Sequence, residues 1–210
     1  MSTPVRKKAA RKSPAERSAE VAAAARDVAI EHGLYAVTLR SVAARVGVTP
    51  ALVAHYEPNM DALIASTFSA IVGAELTEVG ELIARRDTPR ERLSLLLATL
   101  LDGMRDDVTV IWVEAWALGR RNEALARAVR EEMDDWRTVV QDVVVAGVAS
   151  GDFETDDPAS VAWQLLGMID GLNAHALVHW EDSGHRGSRL GSAVEGMLGL
   201  PRGALAVPAG

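Results

Sequence analysis

Apolar residues recur at helical spacing along nearly the whole 210-residue chain, and the breaks fall at caps, glycines and prolines. Ser13 followed by Pro14 opens a first helix, in which Val21, Ala25, Val28 and Ala29 keep one face apolar until Gly33 ends it. Thr38 caps a second, with Leu39, Val42, Ala43 and Val46 at i, i+3, i+4 and i+7. Gly47 breaks that helix, and Thr49-Pro50 starts a third that runs to Tyr56 before Pro58 stops it. Asn59 caps a fourth, whose stripe Met60, Ile64, Phe68, Ile71 continues beyond Val79.

The second half reads the same way. Thr88-Pro89-Arg90-Glu91 is a capping box that opens a fifth helix towards Leu101. A sixth covers 107–119, a seventh runs from Asn122 to Ala149 and stops at Ser150-Gly151, and Asp157-Pro158 opens an eighth expected to reach Trp180. A Gly/Ser/His loop leads to a ninth over 187–199. No strand pair and no repeat is visible, so the pattern predicts an all-α protein of about nine helices. Its expected division is an arm (1–13), a three-helix unit (14–58), a helical body (59–200) and a fraying tail (201–210).

Composition changes this picture in one respect. Hydrophobic residues make up 49% of the chain, enough for a true core, but the net charge of −7 conceals an asymmetry. Residues 1–56 carry nine Arg/Lys against four Asp/Glu, while residues 57–210 carry thirteen against twenty-five. A basic head on an acidic body points to a nucleic-acid-facing end. The arm MSTPVRKKAARKS holds five cations and no anion, and two readings stay open for it: a solubilising tail, or a segment touching DNA backbone or minor groove. The absence of cysteine excludes disulfides and thiolate chemistry. With no signal-peptide core and no stretch approaching the roughly 18 apolar residues of a membrane span, a soluble, cytoplasmic protein without a membrane partner is expected.

Three short helices with a glycine turn between the second and third make a helix-turn-helix unit. The stretch VTLRSVAARVGVTPALVAHYEPNMDAL resembles the signature of TetR-type (TetR/AcrR-like) transcriptional regulators, over about residues 15–64. The resemblance implies an N-terminal DNA-binding head on a helical ligand-binding and dimerisation body. Position by position, it implies DNA contacts from Arg40 and Ser41 on the second helix. On and around the third it implies Thr49, Pro50, Ala51, Leu52, Ala54, His55 and Tyr56. For Leu52 and Tyr56 burial in the head is the competing reading, and for His55 a solvated surface position.

The chain departs from the family where Ala54 replaces an aromatic, Glu57 a phenylalanine, Ala51 a glycine and Met60 a lysine. That lysine commonly grips a phosphate. Positive charge must then come from elsewhere: from Arg6, Lys7, Lys8, Arg11 and Lys12 of the arm, and from Arg17, Arg40 and Arg45.

In the body, Trp112 and Trp116 share a helix face, and Trp136, Trp163, Met104, Met133 and Met168 extend the apolar inventory. With Phe68, Asn173 and His175 they are candidates for a small-effector pocket, and ordinary core packing is the competing reading for each. A tryptophan-rich pocket suits flat aromatics, or cations through ring faces. The eighth helix also carries Gln164, Asp170 and His179 in its apolar pattern. His175 and His179 have metal-compatible spacing, but Glu181 and His185 are weak third ligands, so neither a metal nor a cofactor is implied. By resemblance the last two helices, eight and nine, build a homodimer interface. Three functions remain: a ligand-responsive homodimeric repressor of a palindromic operator, a sensor or protein-binding module with weak or altered DNA binding, and an enzyme. The last lacks every motif it would need.

Overall fold

A computed structural model describes residues 12–180 and 186–205. Nine α-helices and one 3-10 turn account for almost all of them, and no strand occurs among the described residues. The head consists of α1 (Pro14–His32), the 3-10 turn Leu34–Ala36, α2 (Leu39–Val46) and α3 (Pro50–Tyr56). Ser13 and Glu16 close a reciprocal capping box at α1, and Thr38 and Ser41 close another at α2, so orphan amides at both N-termini are satisfied locally. Gly47 sits in the left-handed region, at φ 74°, and turns the chain from α2 to α3 where a Cβ would be strained. Val21, Val28, Leu34, Val42 and Val53 meet in the head core. Val53 is fully buried, which is worth roughly 1.5–3 kcal/mol and fixes which face α3 turns outwards.

The body contains α4 (Met60–Ala84), α5 (Pro89–Leu101), α6 (Asp106–Gly119), α7 (Glu123–Ser150), α8 (Pro158–Leu177) and α9 (Arg186–Met197). The long α4 rises from the head and packs against α1, α5, α6 and α7; α7 in turn packs on α5, α6 and α8. By length and composition α4 could cross a membrane, which corrects the expectation that no stretch approaches a span. Its apolar face, from Leu63 through Phe68 to Ile83, is instead buried in this protein's own core.

Two boundaries differ from the sequence reading. The eighth helix stops at Leu177, three residues short of Trp180, and His179 adopts φ 53°. The apolar pattern continues there, but Val178 is largely exposed, so no burial supports another turn. The chain folds back, Trp180 N–H donates to His175 O, and the two rings meet edge-on at 4.9 Å. The tail does not fray over 201–205: Leu205 is buried and its N–H donates to the buried carboxylate of Glu195 at 2.9 Å. Glu181, His185, the arm to Arg11 and residues 206–210 lie outside the described residues.

Candidate functional site

The outward face of the head carries the residues proposed for DNA. Arg40, Thr49, Pro50, Ala51 and His55 are exposed, while Ser41, Leu52, Ala54 and Tyr56 are half-buried. Two hydroxyls are already committed. Ser41 Oγ accepts from Thr38 N–H at 2.9 Å, and Thr49 Oγ1 accepts from Leu52 N–H at 3.3 Å. His55 and Tyr56 stand edge-to-face, ring centroids 5.0 Å apart.

Charge on the head is largely neutralised from within. Lys12 and Arg17 both pair with Glu20, and Arg45 pairs with Glu31 in a two-pronged contact. Arg40 has no ion-pair partner among the described residues. Lys7, Lys8 and Arg11 lie outside them. Met60 occupies the first turn of α4, half-buried against the core.

A cavity of about 500 Å³ lies in the body, lined from α4 through α8. Of the sequence candidates, Trp112, Trp116, Met133, Trp136, Trp163 and Asn173 line it. Phe68, Met104, Met168 and His175 do not. Phe68 is fully buried behind Trp112, T-shaped at 5.0 Å, and Trp112 leans towards Trp116 at 5.8 Å. Met104 is 83% exposed in the turn before α6, and His175 lies on the outer side of α8 against Trp180. Helical spacing assigns residues to a face; it does not say which face meets a void.

The polar lining matters most. Asp170 projects from α8 into this wall with no hydrogen-bond or ion-pair partner among the described residues, and burial alone pushes its pKa up to about 6. Glu75, on the buried stripe of α4, is pushed up to about 7 by burial, which outweighs the nearby Arg105 guanidinium. Arg105 Nη1 lies 3.5 Å from Glu75 and Nη2 2.8 Å from Glu78. Arg130 and Arg137 also line the cavity, but are paired to Glu123 and Asp134. Trp136 is buried and its indole N–H has no acceptor, while the Asn173 amide donates to Leu100 O at 2.8 Å.

Sequence reasoning missed Glu75 and Arg105 and noted Asp170 only as a polar break. A usable signal existed for Glu75, which falls in register with Phe68, Ile71, Val72 and Val79 on the buried stripe. Chemically, the wall combines indole faces with an unpaired carboxylate that is mostly ionised at neutral pH. Such a surface suits a cation with apolar substituents.

The comparisons with known proteins agree with this organisation. The family described as "Bacterial regulatory proteins, tetR family" matches residues 21–67, and the one described as "BetI-type transcriptional repressor, C-terminal" matches residues 89–193. The chain is 27% identical over 161 residues to the HTH-type transcriptional regulator BetI of Rhizobium meliloti (strain 1021), covering 76% of each protein. Among solved structures, a transcriptional regulator from Saccharomonospora viridis in complex with choline superposes with a TM-score of 0.75 at 18% identity, over 88% of this chain and 98% of that one. The regulator FadR from Bacillus subtilis in complex with stearoyl-CoA gives 0.66 at 18% identity, over 86% and 97%. At these identities the solved structures speak for the fold alone. With a matching head, a matching body and an all-helical architecture, the chain belongs to the TetR family and is a ligand-responsive, DNA-binding transcriptional regulator.

Proposed function

We propose that the protein is a homodimeric repressor that leaves a palindromic operator when an organic cation, of the quaternary ammonium type, enters the body cavity. The observation that carries the effector class is Asp170: a half-buried carboxylate, unpaired among the described residues, in a wall shared with Trp112, Trp116 and Trp163. A desolvated charge without a partner is costly, and a cation that supplies the missing partner recovers that cost on binding. Indole faces attract the same charge. The choline complex of the Saccharomonospora viridis protein supports this reading, while the stearoyl-CoA complex of the Bacillus subtilis protein supplies the competing effector chemistry.

The head, residues 14–58, reads DNA through the outward face of α3, with Arg40 and the arm supplying charge. Base reading and charge neutralisation are separate tasks. Residues 59–200 hold the effector and dimerise through α8 and α9. The exposed side of α8 offers Trp163, with Val178 exposed at its C-cap and Gly167 and Gly171 free of any close neighbour, as close helix packing requires. Two heads related by a two-fold axis then meet half-sites about 34 Å apart in the cytoplasm, where the DNA is.

The test is a gel shift on the DNA upstream of the protein's own gene, with and without choline. Retarded DNA released by choline is the expected result. Release by stearoyl-CoA and not by choline would overturn the cation reading, and no retardation would favour a sensor without an operator there.

A further inference from the structure

We propose that Glu114 is the positioning residue through which the body cavity and the DNA-reading head exchange information. The proposal deepens, and rests on, the reading of the cavity as the effector site. Glu114 lies on α6 between Trp112 and Val113 on one side and Trp116 on the other, all three of which line the cavity. Its own carboxylate points the other way, into the head. Glu114 Oε2 accepts the Tyr35 backbone N–H at 3.2 Å. That amide belongs to the start of the 3-10 turn, where no acceptor is available within the turn itself, and a negative group is electrostatically favoured there.

The seat for the carboxylate exists because residue 33 is glycine. A Cβ at Gly33 would lie 2.5 and 2.6 Å from the two Glu114 oxygens, and the glycine's φ of +85° is itself one that other residues rarely adopt. The turn beyond it is a structural joint. Leu34 is fully buried in the head core, and Ala36 O accepts the Ser41 hydroxyl that caps α2. α2 in turn carries α3 through the Gly47 turn. A shift of α6 imposed from the cavity therefore pulls on the base of the reading unit. The T-shaped contact of Trp112 with Phe68 ties the same helix to α4, so α6 cannot shift without pressing on both links to the head.

The five tryptophans all lie at or beyond position 112, so tryptophan emission reports the body and never the head. Upstream duplex DNA is titrated into the full-length wild type, Glu114→Gln and Glu114→Ala, with binding read by anisotropy of labelled DNA and the body's response by tryptophan emission. DNA should change the emission of wild type and of Glu114→Gln, whose amide oxygen still accepts from Tyr35. Glu114→Ala should bind DNA with most of that change lost. With choline as effector probe, the fold-loss of DNA affinity, expected within the roughly 5- to 150-fold range of allosteric couplings, should collapse towards 1 in Glu114→Ala while choline affinity without DNA stays near wild type.

Wild-type emission unmoved by DNA, or an alanine variant with the full wild-type response, overturns the relay. If choline leaves wild-type DNA binding unchanged, the cation reading falls, and the emission experiment still decides the relay. Should the alanine variant fold poorly, hydrogen exchange of the Tyr35 amide in the wild type serves instead: protection that is the same with and without DNA overturns the proposal.

Discussion

Arg105, at the N-cap of α6, bridges Glu75 and Glu78 on α4, its Nη1 3.5 Å from the buried Glu75 carboxylate. The bridge is an incomplete compensation, because burial still raises Glu75 to about 7 from its ordinary 4.5. The folded state therefore holds this proton more tightly than the unfolded chain. Stability from that preference is fully present below pH 4.5 and is lost as pH rises through 7, a change on the order of 3 kcal/mol. Glu75→Gln should melt a few degrees above wild type at pH 8 and lose that advantage at pH 5. Thermal melts at the two pH values check it, and a less stable variant at pH 8 would show that the pair is net favourable.

Asp170 predicts a separation of binding from stability. Asp170→Asn removes a half-buried, desolvated carboxylate, so the variant should be at least as stable as wild type at pH 8. Its affinity for choline should fall about tenfold or more, the loss of one strong charge contact. Because the carboxylate is raised to about 6, wild-type affinity should climb from pH 5 to pH 8, and the variant's profile should be flatter. Calorimetric titration across that range reads both effects. Equal affinities for wild type and variant would remove Asp170 from the site.

Gly147 on α7 lies under the Phe153 ring, and an added Cβ would come within 2.0 Å of Cδ2. Gly147→Ala should therefore destabilise the body by about 1–3 kcal/mol, despite alanine's better helix propensity. Denaturant unfolding measures it. A stabilised variant would mean that the ring can move aside at little cost.

The head makes an electrostatic prediction. Arg40→Ala should weaken DNA binding and lower the slope of log affinity against log salt by about 1, as expected for one lost phosphate contact. Arg45→Ala should do less, since Arg45 is already held by Glu31. Deleting residues 1–12 should flatten the slope further, and Met60→Lys should steepen it. Slopes measured by anisotropy over a salt series decide between these contributions. An unchanged slope in the deletion would leave the arm with a solubilising role.

Much of the fold was legible because caps and periodicity are local. Thr38, Gly47, Thr49, Asn59 and the Thr88–Glu91 box each act within one turn of chain, and the structure puts helix boundaries at all of them. Legibility failed where burial rather than pattern decided. Trp180 continues an apolar run yet leaves the helix, and the tail is held by the Glu195–Leu205 hydrogen bond, which spans ten residues.

By itself, the sequence determined the all-helical class, the helix-turn-helix and the charge asymmetry between head and body, because each is written in spacing or composition. It could also name tryptophans as candidates for a cavity. Only the tertiary structure decided that Phe68 stands behind the cavity while Trp112 faces it, and that, among the described residues, Arg45 is already paired while Arg40 is not and the half-buried Asp170 has no partner. Those are relations between helices distant in the chain. A desolvated charge or a carboxylate seated beside a glycine has no period, and it exists only once elements distant in the chain have closed around it.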